Sequence, residues 1–237
     1  MENQIKKLGV IGGLGPKATA YFYNMIVDNT VAKKDQEHIE AVYLNHASMP
    51  DRTESILSND TKELRELLIK DAQLLETLGC SHIAIPCNTS HYFIDEIQVS
   101  VNIPVINMID ETIQYIKRKY GNNVEKIGVL ATNGAREVKV YDKFAEKQGV
   151  QIMYPNLESQ RKVMEVIYDG VKAGKEVSPS ELDNVILELV SQGCRAVILG
   201  CTELSVMFEN HSNEYVVDAL YPLALKSIHL SGKESKE

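Results

Sequence analysis

No stretch of this chain is apolar for the roughly 18 residues that a membrane helix needs. The first strand-like run, Leu8 to Ile11, is too short for a signal-peptide core. No membrane association and a cytoplasmic location are therefore expected. A basic block is also missing. With a net charge of -8 and no cluster of Lys and Arg to neutralise phosphates, the overall field repels nucleic acid and favours a small-molecule partner. Cysteine is scarce, four in 237 residues, and without a secretory signal these read as free thiols rather than a disulfide framework. No two of them have the close spacing of zinc-ligand pairs, so no metal is expected. What is present, 44% apolar and 24% charged residues, is an ordinary globular composition, enough for one large domain or two small ones.

The chain repeats itself. Lys7-Leu8-Gly9-Val10-Ile11 is echoed by Lys126-Ile127-Gly128-Val129-Leu130, each leading into a glycine-containing loop and a helical pattern. Leu78-Gly79-Cys80-Ser81-His82-Ile83-Ala84-Ile85-Pro86-Cys87 is echoed by Gln192-Gly193-Cys194-Arg195-Ala196-Val197-Ile198-Leu199-Gly200-Cys201, with the same step from Gly to the last Cys. A third pair sets Pro104-Val105-Ile106-Asn107 beside Tyr215-Val216-Val217-Asp218. Three matches in one order argue for an internal duplication.

Each half alternates short apolar runs with helical stretches such as Asp60 to Leu78 and Ser180 to Ser191, the pattern of β-α units on a mostly parallel sheet. The fold class is α/β, with two pseudo-symmetric domains. Gly79 and Gly193 stand where a helix gives way to a strand. A helix crossing to the other half after each third matched strand puts the domains at 1–110 plus 208–237, and 111–207. Ligands of open α/β sheets bind beyond the carboxyl ends of the strands, so one cleft between the halves is the expected site.

That geometry divides the cysteines. Seven residues of extended chain put Cys80 and Cys87 roughly 23 Å apart, and the same holds for Cys194 and Cys201. Cys80 and Cys194 begin their strands and read as small buried hydrophobes. Cys87 and Cys201 end theirs, ahead of Asn88-Thr89-Ser90 and Thr202-Glu203-Leu204, where a helix N-terminus acidifies a thiol and its free N–H groups bind anions. A pseudo-twofold axis would set these two thiols on opposite sides of a ligand. That arrangement suits removal of a proton from one face of a stereocentre and its return to the other.

At these residues the sequence resembles the aspartate/glutamate racemase family, within it the aspartate racemase branch. The motifs are Gly9-Val10-Ile11-Gly12-Gly13-Leu14-Gly15-Pro16, Met49-Pro50-Asp51-Arg52-Thr53, Pro86-Cys87-Asn88-Thr89-Ser90-His91-Tyr92 and Gly200-Cys201-Thr202-Glu203-Leu204. The resemblance implies two α/β domains, no pyridoxal phosphate or other cofactor, no metal and a homodimer. It implies Cys87 and Cys201 as the acid/base pair, with Arg52 and Lys162 binding substrate carboxylate, Lys162 through the local match Arg161-Lys162-Val163-Met164. An acidic amino acid is the expected partner. Asn88, Thr89, Ser90 and Thr202 are the candidate donors to charge growing on the α-carboxylate. Thr132, after the second opening strand, joins the candidate contacts, and Asp51 and Glu203 are candidate acid/base support.

Other readings carry less. Gly13-Leu14-Gly15-Pro16-Lys17-Ala18 fits a dinucleotide loop, but Ala41-Val42-Tyr43-Leu44 ends in Asn45-His46 rather than the acidic residue that such a site needs. Cys87 and His91 resemble a thiol-hydrolase dyad with no orienting third group. A silent amino-acid sensor has no use for two strand-end thiols. A related isomerase or decarboxylase is the remaining alternative, since one cysteine suffices for decarboxylation with one-sided protonation.

Overall fold

The computed structural model describes residues 5–236, and its strands form two parallel sheets that repeat one plan. The first half runs β1 (Leu8–Gly12), α1 (Pro16–Asn29), β2 (Ala41–Asn45), α2 (Arg52–Leu57), α3 (Lys62–Thr77), β3 (His82–Ala84), α4 (Ile94–Val99) and α5 (Met108–Tyr120). The second runs β4 (Lys126–Leu130), α6 (Asn133–Glu137), α7 (Asp142–Lys147), β5 (Gln151–Met153), α8 (Leu157–Glu165), α9 (Asp183–Ser191), β6 (Ala196–Leu199), α10 (Thr202–Met207), β7 (Val216–Asp218) and α11 (Leu220–Leu230). The sheet orders are β2-β1-β3 and β5-β4-β6-β7. In the first sheet a parallel bridge from Ile83 to Val105 stands where β7 stands in the second. The third sequence match is thus the fourth position of each sheet.

Local chemistry sets the element ends. Pro16 opens α1, where its missing N–H costs nothing, and Asp51, Asn107 and Asn156 cap α2, α5 and α8 through side-chain oxygens. Gly79 and Gly193 follow α3 and α9 with φ of +76° and +90°, a backbone region that glycine enters without a Cβ penalty.

Strand alternation partitions the core. Ile127, Val129, Ala196 and Ile198 join an apolar cluster continuous with the first half, whereas Leu130, Val197 and Leu199 face a second cluster containing Val163, Ile167 and Ile186 from the helical layer outside. The halves therefore share one core. Crossing helices seal it: α5 packs on α7 and α11, while α11 packs on α1 and β3. The expected boundary at 208 is displaced, because β7 is hydrogen-bonded to β6. Residues 208–218 stay with the second sheet, and the chain crosses at Ala219.

Candidate active site

The carboxyl ends of both sheets converge on one cavity. Leu14 follows β1, Asp51, Arg52 and Thr53 open α2, Cys87, Asn88 and Thr89 follow β3, Thr132 follows β4, and Cys201, Thr202 and Glu203 follow β6. Tyr168 and Lys172 complete the wall from a π-helical segment, Val166–Lys172, that continues α8. The cavity measures about 20 Å³, room for roughly one water. A larger chamber of about 350 Å³ adjoins it, with Asp51, Arg52, Lys172 and Glu203 shared between the two.

The two strand-end thiols are 6% and 7% exposed, and they sit in opposite electrostatic settings. The Cys201 Sγ–H donates to Glu203 Oε2 at 2.9 Å. Burial, and then that carboxylate, push the Cys201 thiol well above its ordinary pKa. Cys87 instead faces the Arg52 guanidinium. Burial opposes charge on Arg52, but Cys87, Asp51 and Glu203 more than offset it and hold the guanidinium charged. Its Nη1 and Nη2 donate to the carbonyls of Pro50 and Leu14 at 3.0 and 3.1 Å, which fixes its orientation. Cys80 and Cys194 are buried at the opposite strand ends, and burial raises both thiols.

Lys162 is not part of this cavity. It lies on the outer side of α8 in an exposed ion pair with Glu181, while its neighbour Val163 takes the buried position. The cavity's lysine is Lys172. Its Nζ donates to Asp51 Oδ2 at 3.1 Å and lies 4.0 Å from the centre of the Tyr168 ring, a cation–π contact. Tyr168 donates to the same carboxylate at 3.1 Å. Burial favours neutral lysine, yet Glu203, Tyr168, Asp51 and Cys201 reverse that and raise its pKa. Asp51 is likewise held ionised against its burial by the Glu54 N–H, Lys172 and Arg52. Asp51 thus forms an ion pair with Lys172. The sequence carried one clue to this pair: Val163, Ile167 and Val171 form a buried stripe, and Tyr168 and Lys172 each follow a residue of it.

Ser90 is also a correction, since it is buried but outside the cavity lining. The tight 3₁₀ turn over Thr89–Phe93 turns successive side chains to different sides. His91 gives no dyad with Cys87: its Nδ1 bonds the Cys87 carbonyl at 2.9 Å, and its Nε2 accepts from the Met108 N–H at 3.0 Å. Both ring nitrogens are engaged away from the thiol. Burial lowers the ring's pKa to about 4.

The halves touch across the cavity floor. Thr89 and Thr132 share a hydrogen bond at 3.3 Å, and the Thr132 hydroxyl also caps α6. Gly134 lies so close to Thr53 that an added Cβ would stand 2.7 Å from the Thr53 Cα. This is a close approach that only glycine permits.

Comparison with known proteins places the chain in a family. Residues 11–224 match the pattern of the Asp/Glu/Hydantoin racemase family. The broad specificity amino-acid racemase RacX of Bacillus subtilis (strain 168) is 25% identical over 223 residues, covering 93% of this chain and 96% of RacX. Among solved structures, Picrophilus torridus aspartate racemase superposes with a TM-score of 0.84 at 28% identity, covering 98% of this chain and 96% of its own. An aspartate racemase homologue from Pyrococcus horikoshii OT3 gives 0.76 at 25%, covering 96% and 100%. With the matched pattern spanning both sheets and both thiol loops, the chain belongs to the Asp/Glu/Hydantoin racemase family.

Proposed function

We propose that the protein interconverts the enantiomers of an acidic amino acid, aspartate or glutamate, without a cofactor, by passing the α-proton between Cys87 and Cys201. The observation that carries this reading is the pairing of two thiols from equivalent strand ends in one cavity with two cations, the buried Arg52 and the more exposed Lys172. The cations offset the chain's overall negative charge locally and suit a substrate with two carboxylates.

In one direction we take Cys87, beside the Arg52 guanidinium, as the base, and Cys201, whose thiol pKa burial and Glu203 raise, as the acid. Cys87 then takes the α-hydrogen from one face while Cys201 gives its proton to the other. The enzyme is left with the protons exchanged, ready for the opposite enantiomer. As the α-hydrogen leaves, charge moves onto the α-carboxylate, where the Asn88 amide, the hydroxyls of Thr89, Thr132 and Thr202 and the N–H groups opening α10 are the available donors. A one-cysteine decarboxylase would leave the second thiol without a task, so the racemase reading uses more of the site.

The test is chiral chromatography of L- and D-aspartate and L- and D-glutamate incubated with purified protein, with no pyridoxal phosphate, nucleotide or metal added. Both enantiomers of a substrate should approach the same mixture, at a rate unchanged by a chelator. A rate that chelation abolishes and metal restores would contradict the reading.

A further inference from the structure

Asn88 presents an imbalance that the cavity alone does not explain. Its side chain is 2% exposed and lines the cavity, and its Nδ2 finds no hydrogen-bond partner among the described residues. A buried donor left unpaired costs stability, so native chains rarely keep one without a use. Its Oδ1, by contrast, accepts a 2.5 Å hydrogen bond from the hydroxyl of Tyr141. Tyr141 belongs to the other half of the molecule, at the start of α7, and is wholly buried in the shared core. It is absent from the cavity lining.

We propose that Tyr141 is a positioning residue, which pins the Asn88 amide by its oxygen so that the Nδ2 donor is held ready for a carboxylate oxygen of the substrate. An amide carries its oxygen and nitrogen on opposite branches of one planar group, so fixing the first fixes the second. A free asparagine can turn over and offer an acceptor, which would repel an anion. While it stays protonated the phenol disfavours this, because a flipped amide would take away the acceptor of its hydroxyl proton, and burial raises its pKa well above the ordinary tyrosine value. Because Tyr141 comes from the second half and Asn88 from the first, the donor is set only when the halves are docked. This proposal rests on the racemase reading for its substrate, but not for the hydrogen bond itself.

The experiment is a double-mutant cycle with Tyr141→Phe and Asn88→Ala, read by racemisation of the acidic amino acid, with nuclear magnetic resonance as an arm independent of activity. Tyr141→Phe keeps the ring in the core, and kcat/KM should fall about tenfold. The loss should lie mainly in kcat, because the donor matters most where charge grows. In the Asn88→Ala background the same change should cost nothing further, since Tyr141 acts through Asn88. Equal losses in both backgrounds would mean that Tyr141 serves packing, and would overturn the proposal. In the wild type the Tyr141 hydroxyl should give a slowly exchanging downfield proton that vanishes in Asn88→Ala, a readout that survives even if Tyr141→Phe folds poorly. Absence of that signal overturns the positioning bond. If the wild type racemises none of the amino acids while the signal is present, the racemase reading fails and the hydrogen bond stands.

Discussion

The two thiol loops occupy equivalent places in duplicated sheets, yet their surroundings have opposite signs. Cys87 after β3 is followed by Asn-Thr and faces Arg52; Cys201 after β6 is followed by Thr-Glu and donates to Glu203 at 2.9 Å. Duplication supplies two thiols at equivalent strand ends of one cavity. Divergence of the neighbours makes them inequivalent: Arg52 lies beside Cys87, whereas burial and Glu203 raise the Cys201 thiol. The proposed proton relay needs two groups with such different surroundings.

The largest expected effect comes from removing either member of the pair. Cys87→Ala and Cys201→Ala should each lower racemisation of aspartate or glutamate by about a thousandfold or more. Appreciable turnover in either, followed by chiral chromatography, would mean that one thiol does both jobs. Next comes the cation beside Cys87. Arg52→Ala should reduce kcat/KM for acidic substrates by about a hundredfold, chiefly through KM, and neutral amino acids much less, because a charge-assisted contact is lost. Equal losses for both substrate types would show that Arg52 does not read the carboxylate.

On the other side of the comparison, Glu203→Gln removes the carboxylate that keeps Cys201 protonated. Burial and Glu203 raise the Cys201 thiol pKa, so loss of Glu203 lets Cys201 ionise at lower pH. The alkaline limb of kcat/KM should move to lower pH. A rise or no shift in the alkaline limb would remove Glu203 from this role. A smaller effect tests how closely the halves meet. Gly134→Ala should destabilise the fold by about 1–3 kcal/mol in thermal unfolding, because the added Cβ meets the Thr53 backbone. The smallest effect separates the two lysines: Lys162→Ala should change kcat/KM less than about twofold, as expected for one exposed ion pair, whereas Lys172→Ala should cost about tenfold or more. The reverse order would return the substrate contact to Lys162.

Much of this organisation is legible in the chain before folding. Strand runs such as Val10-Ile11 and Val197-Ile198 recur with the Gly79 and Gly193 turns at matching offsets, so the duplication, the α/β class and the two strand-end cysteines follow from spacing. What fails is whatever depends on rotation within a helix or on distant contacts. Lys162 rests on the short local match Arg161-Lys162-Val163-Met164, which says nothing of the π-helical turns that follow α8 and bring Lys172 to the cavity wall. Asn88, Thr89 and Ser90 look equivalent as neighbours in sequence, and the tight turn then sends Ser90 away from the other two. The Tyr141 bond spans 53 positions and joins separate halves. No local pattern encodes it. The crossing after the third matched strand is legible in the repeat, but the boundary at 208 precedes that strand, which pairs with β6 in the second sheet.

The most direct test of the central claim is solvent exchange by the single-cysteine variants, measured as deuterium uptake into D- and L-aspartate by mass spectrometry. Each variant retains one base, which can detach the α-hydrogen on its own face and return a deuteron there without inversion. The account predicts that Cys201→Ala and Cys87→Ala label opposite enantiomers. Near neutral pH the variant that retains Cys87 should exchange faster, because Cys201 must first lose the proton that Glu203 holds, and the rate of Cys87→Ala should climb as pH rises. Labelling of the same enantiomer by both variants would contradict the assignment of one thiol to each face.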